Sequence, residues 1–204
     1  MNAQYHSLVS AKRRGGKPED YYELHDFSDI SKEIVSDQRF RIYGHNIWSI
    51  KNYIIPIFGH TITNSDGKNV NVKDMLESDH IACDFNGYIP NLIDYVDLIN
   101  DSVDTSLVKE FHKKYSEIIS KYSLDRLLYS PLSIAGKVKS LLITHNDWFW
   151  NTVVSRITKI KIDVDDHLFP VSFLFDNMKY ENWLSGKTPN SKYKKLLKKG
   201  QNEQ

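Results

Sequence analysis

Cysteine is nearly missing from this chain: Cys83 stands alone, so no internal disulfide is available and packing must hold the fold. An excess of charge of one sign is missing too. Lysine and arginine number 27 against 26 acidic residues, a formal net charge of +1, which excludes a surface that is basic throughout. No stretch approaches the roughly 20 apolar residues that span a bilayer, and MNAQYHSLVSAKRRGG lacks the apolar segment of a signal peptide. The expectation is a cytoplasmic protein, or one held within a virion or other large assembly, with no membrane contact. Several signatures of chemistry are also lacking. Gly15-Gly16 is not followed by the G-K-[ST] of a phosphate loop, and neither H-E-x-x-H nor paired C-x-x-C occurs. The DVDDH stretch (Asp163, Asp165, Asp166, His167) has neither the glycine nor the downstream glutamate of a calcium loop, and reads as an acidic turn.

What is present is helical periodicity. In QRFRIYGHNIWSIKNYIIPIF the residues Ile42, Tyr43, Ile47, Trp48, Ile50, Ile54 and Ile55 recur at helical spacing, and the run is expected to end near Pro56. PEDYYELHDFSDISKEIVSD reads as an acidic helix with Asp26 or Ser28 capping its start, and SLVKEFHKKYSEIISKY carries another apolar stripe. FGHTITNSDGKNVNV is different: Asp66-Gly67 with Ile62, Val70 and Val72 alternating around it is the pattern of a two-stranded hairpin. KIKIDV alternates with period two and suggests a short strand, with VSFLF as its partner. The fold class expected is therefore mainly α. A helical unit with one small β-hairpin occupies residues 1–103, a helical unit with room for a short strand pair 104–186, and a Lys-rich tail 187–204. No internal repeat is visible.

The candidate chemistry lies in the first unit. His25, Asp29, Glu33, Asp37, Arg41 and His45 recur every four positions, which on one continuous helix would place neighbours in contact and leave the ends apart. Lys32 belongs to the same cluster. Downstream, Glu77, His80 and Asp84 share a helical face, and His80 with Asp84 at i,i+4 has the spacing of two ligands of one ion. His45, His80 and Asp84 are the metal-ligand candidates, with a divalent ion as the only cofactor suggested and none required.

The order H-x3-D-x-S-K (His25, Asp29, Ser31, Lys32), D-x-R-x-R-x3-H (Asp37, Arg39, Arg41, His45), T-I-T-N-S-D-G-K and E-x2-H-x3-D (Glu77, His80, Asp84) resembles a family of small bacterial and phage proteins built on a domain of unknown function. The resemblance covers about residues 5–97. Members of that family tend to carry histidine where this chain has Phe40 and Asn46, and it has no settled activity to lend.

Two functional expectations follow. The first is a non-enzymatic accessory or structural subunit of a larger assembly, of phage type among the options, anchored by its termini. Lys192, Lys194, Lys195, Lys198 and Lys199 would contact protein subunits or a nucleic-acid backbone. The second is a metal-dependent or acid/base enzyme acting on a phosphorylated or nucleotide-like substrate, with Arg41 and Lys32 neutralising its charge.

Overall fold

In the computed structural model, which describes residues 2–161, 164 and 167–189, the chain is mainly helical with one two-stranded antiparallel hairpin. Helix α1 (Ala3–Arg14) is capped by the Asn2 side chain and joined by a short glycine turn to α2 (Glu19–Asp29), against which it packs. α2 starts ahead of the expected caps Asp26 and Ser28, because Pro18 followed by Glu19 and Asp20 suits a helix N-terminus.

The helix expected to run through to Pro56 is broken instead. A 3-10 turn (Gln38–Phe40) leads into α3 (Arg41–Gly44), which stops at His45. Asn46 adopts extended backbone and its side chain accepts from Ser49 N, opening α4 (Ile47–Ser49). A π turn (Ile50–Ile54) then precedes α5 (Ile55–Phe58), so Pro56 lies inside the helical run, directly after the widened turn. The Asn52 side chain donates to the Trp48 carbonyl within this widened turn.

The hairpin pairs β1 (Thr61–Thr63) with β2 (Asn69–Asn71), Ile62 opposite Val70, around a loop with Gly67 at φ +75°. Its polarity has a structural use. Asn64 Nδ2 donates to Tyr21 Oη at 3.0 Å, Asp66 accepts from Gly16 N at 2.8 Å, and Ser65 donates to Asp20 through both its N–H and its hydroxyl. The loop thus clamps the joint between α1 and α2. Helix α6 (Val72–Met75), a π turn (Leu76–Ile81) and α7 (Ala82–Asp84) follow directly, then α8 (Leu92–Val96).

The rest of the described chain comprises α9 (Ser106–Lys121), α10 (Asp125–Ala135), a 3-10 segment (Val138–Ile143), α11 (Asp147–Phe149), a π turn (Trp150–Val154) and α12 (Ser155–Thr158). VSFLF, expected as a strand, is helix α13 (Val171–Asp176), which buries Leu174 and Phe175. So short an apolar run does not distinguish strand from helix, and Pro170 favours the helix start. Of the proposed partner strand, Ile162 and Asp163 lie outside the described residues, as do Asp165 and Asp166 of the acidic turn. A 3-10 segment (Asn182–Ser185) ends the described elements.

One apolar cluster spans position 103, joining Ile42, Trp48 and Ile54 to Leu128, Leu142, Phe149 and Val153. Polar links cross it too: Trp48 Nε1 donates to Ser130 Oγ and Asn146 Nδ2 to Tyr43 Oη, each at 2.7 Å.

The structure also reveals a local repeat. H-N-x-W occurs at His45–Trp48 and again one hundred positions on at His145–Trp148. Each copy opens the same succession of three helical, five π and four helical residues. In both, asparagine caps the new helix and donates to the carbonyl four residues back, Ile42 or Leu142, at 2.7 Å. The residues after tryptophan differ, so the repeat is geometric more than textual.

In the second copy the His145 Nδ1–H donates to the Leu141 carbonyl at 3.0 Å, leaving Nε2 to accept from His112 at 2.9 Å. Burial, aided by the nearby His112, pushes the His145 imidazole down to about 3. An unfolded histidine titrates near 6.5, so the unfolded chain takes up the proton first as pH falls. Stability is therefore retained above pH ~6.5 and lost on acidification toward ~3, at about 1.4 kcal/mol per pH unit from this group. Urea unfolding at stepped pH values should show a shallower acid slope for His145→Gln than for the parent chain.

Candidate metal centre

Helix α1 is inside out. Its buried face is Ala3, His6, Ser7 and Ser10, whereas Tyr5 and Leu8 are exposed. A helix that turns its polar stripe inward sacrifices apolar burial, and does so here to bring His6 and Ser10 to a polar interior. The sequence reading passed over both residues. Their signal was present as small and polar residues at positions 3, 6, 7 and 10.

Asp29 comes from the end of α2 and His45 from the end of α3, and Gly44 lets the two helices meet. A Cβ there would fall 1.7 Å from the Ser28 carbonyl oxygen, so only glycine fits. The third contribution is the segment around His80. Within its π turn the sequence neighbours Asp79 and His80 are both fully buried. Asp79 is held by Arg13 Nη1 at 2.8 Å and Arg14 Nε at 2.5 Å, the end of α1 reaching across to fix this turn.

The side chains converge closely. His45 Nε2 lies 3.0 Å from His80 Nε2, 3.2 Å from Asp84 Oδ2 and 3.4 Å from Asp29 Oδ1. His80 Nε2 is 3.7 Å from Asp29 Oδ1, and His6 Nε2 is 3.3 Å from Asp84 Oδ1. Ligand-type atoms of His6, His80 and Asp84 all lie within 4.8 Å of one another, as do those of Asp29, His45 and His80.

The tautomers sharpen this picture. His6 Nδ1 contacts the Asp79 carbonyl at 2.8 Å and must carry the proton there, which leaves a lone pair on Nε2 in the neutral ring. That nitrogen has no hydrogen-bond partner, yet it faces a carboxylate oxygen. Two lone pairs facing each other in a buried site require a cation between them, either a proton or a metal ion. Asp29 Oδ1 is likewise buried without a hydrogen bond.

His25 stands one step back. Its Nδ1 is 3.0 Å from His80 Nδ1 and its Nε2 is 2.9 Å from Ser10 Oγ, which in turn donates to Asp79 at 3.2 Å. A proton on His80 Nδ1 donated to His25, with the other His25 nitrogen donating to Ser10, satisfies the whole chain. His80 then presents Nε2 inward, and the two triplets adjoin through it. This is the outer-shell arrangement that orients metal-bound imidazoles.

Burial drives the imidazoles toward neutrality, His25 to about 3, His45 below its usual range and His80 well below it. Burial would raise the two carboxyls. For Asp84 the approach of His45, His6 and Arg41 outweighs it, and for Asp29 that of His80, His45 and Lys32, so both stay below the ordinary carboxylate range. Neutral imidazoles with ionised carboxylates are the ligand states that bind metals. Arg41 donates to Asp84 at 3.0 Å and to the Leu184 carbonyl at 2.6 Å.

Of the residues marked from sequence, His25, Asp29, Arg41, His45, His80 and Asp84 meet here, with Lys32 paired to Asp29 at 2.5 Å. Asp37 instead caps the Gln38–Phe40 turn and pairs with Arg39. Glu33 accepts from Trp148 Nε1, and Glu77 pairs with Lys73. Asp26, adjacent to His25, is turned to the exposed face of α2. Lys192, Lys194, Lys195, Lys198 and Lys199 lie outside the described residues.

A family model described as a domain of unknown function (DUF6915) matches residues 1–104, which include every side chain of the centre. No curated protein and no solved structure matches the chain.

Gly44 provides a direct check on this assembly. Gly44→Ala should cost at least about 3 kcal/mol, because the new methyl meets backbone and α2 and α3 must separate. Gly67→Ala, strained by its positive φ but with open space around it, should cost only about 1–2 kcal/mol. Comparing the two denaturation midpoints tests whether close approach of α2 and α3 is what builds the site.

Proposed function

The chain belongs to the DUF6915 family through residues 1–104, and for this unit we propose a metal-dependent enzyme domain whose centre holds one divalent transition-metal ion. His6, His45 and His80 would supply imidazole nitrogens, and Asp29 and Asp84 carboxylate oxygens. The observation that carries this reading is the convergence of buried ligand-type atoms, those of His6, His80 and Asp84 within 4.8 Å of one another and those of Asp29, His45 and His80 likewise, with His6 Nε2 facing Asp84 Oδ1 at 3.3 Å. Three nitrogens and two oxygens suit iron, manganese or zinc, and two carboxylates balance a divalent charge. A bound ion would supply Lewis acidity and an acidified water.

The protein's own contribution is orientation and exclusion of water. His25 and the Asp79 carbonyl fix the tautomers of His80 and His6. Arg41 tethers Asp84 from the side of Leu184. Phosphorylated substrates gain little support, since Arg41 is committed to these two buried partners and Lys32 to Asp29. An accessory role anchored by the chain ends leaves the converging lone pairs without a purpose.

Metal analysis of the purified chain should find about one transition-metal ion per molecule, lost in His80→Ala and in Asp84→Asn. His25→Ala should retain the ion but bind it about 10- to 100-fold more weakly, as loss of an outer-shell partner does. A chain that takes up no ion under reducing, metal-replete conditions, with unfolding midpoint unmoved by added metal, overturns the proposal.

A further inference from the structure

Asp29 has two faces. Its Oδ1 looks into the buried centre, and the residue also lines a surface cleft of about 450 Å³ between the start of α1 and the end of α2. That size suits a small organic ligand. The cleft is acidic among the described residues: Asp26, Asp29 and Glu33 line it against Lys32 alone. Three carboxylates against one ammonium give the lining a net negative charge. An anion would be repelled there and an ammonium group attracted.

The cleft continues into a second depression of about 260 Å³ lined by Ser7, Leu8, Pro18 and Glu19, with Gln4 and Tyr22 common to both. Leu8 is 54% exposed and Tyr22 47%, an apolar strip on the outward face of α1 and α2. Carboxylates along the rim of both depressions, with the hydrocarbon of Leu8, Pro18 and the Tyr22 ring exposed beside them, describe the ligand's complement.

Resting on the metal-centre reading, we propose that this groove is the substrate site and that it takes a small amphipathic amine. The ammonium group sits among Asp26 and Glu33, next to Asp29, and the alkyl portion runs past Tyr22 onto Leu8 and Pro18. Asp29 links the site to the ion, because it lines the cleft and faces His45 and His80 at once.

Calorimetric titration of the full chain, both cobalt-loaded and metal-free, with hexylamine, hexanoate and hexanol tests this assignment. Hexylamine should bind at least about 10-fold more tightly than hexanoate or hexanol, and shortening it to butylamine should weaken it. The exposed pair Asp26→Asn with Glu33→Gln should lower hexylamine affinity about 10-fold while cobalt content stays unchanged. Equal or tighter binding of hexanoate, or hexylamine affinity unaffected by the double substitution, overturns the proposal. A chain that holds cobalt but ignores hexylamine refutes the groove assignment alone. A chain that binds hexylamine but no cobalt refutes the metal centre and supports the groove.

Discussion

Two ionised carboxylates buried with three imidazoles set the terms for the rest of this fold. Removing such charges from solvent costs several kcal/mol each unless something positive compensates. The chain meets that demand in layers. Arg41 neutralises part of Asp84 and Lys32 part of Asp29, while Arg13 and Arg14 restrain Asp79 one step away. The hairpin loop holds the α1–α2 joint so that His6 and Ser10 stay aligned with Asp79. Features that look unrelated along the chain, a polar turn, a glycine at a helix crossing and a widened helical turn, serve the same enclosure.

Much of this was legible in the residue order. The helical class and the hairpin followed from periodicity and from Asp66-Gly67, and the i,i+4 pair His80 and Asp84 marked a face. The breaks were not legible. Nothing in RIYGHNIW shows that Asn46 will end one helix and start another, because asparagine competes for backbone only once tertiary packing has placed it. On one continuous helix the every-four ladder from His25 to His45 would leave its ends apart, yet the chain folds back between them and brings together residues that a straight helix would separate.

His6 was missed for a different reason. An apolar stripe marks the inward face of most helices, and α1 has the reverse, so periodicity gives no sign that its polar stripe is the buried one. A helix whose exposed side carries Tyr5 and Leu8 and whose hidden side carries histidine and serine marks a site by inverting the usual partition. The repeated H-N-x-W element shows the same limit. Four letters recur, but the equivalence lies in the capping geometry and the π turn that follow, and the second copy pairs His145 with His112.

The carbonyl of Leu184 has an implication for dissecting the molecule. It caps the guanidinium that steadies Asp84, Gly186 leaves no room for a Cβ, which would fall 2.6 Å from the Asp84 backbone oxygen, and Asn86 donates to the Gly186 carbonyl. A fragment cut at residue 104 would contain every inward-facing histidine yet leave that guanidinium half bonded and the wall behind Asp84 open to water. Sequence similarity and mechanical integrity therefore divide this polypeptide at different places.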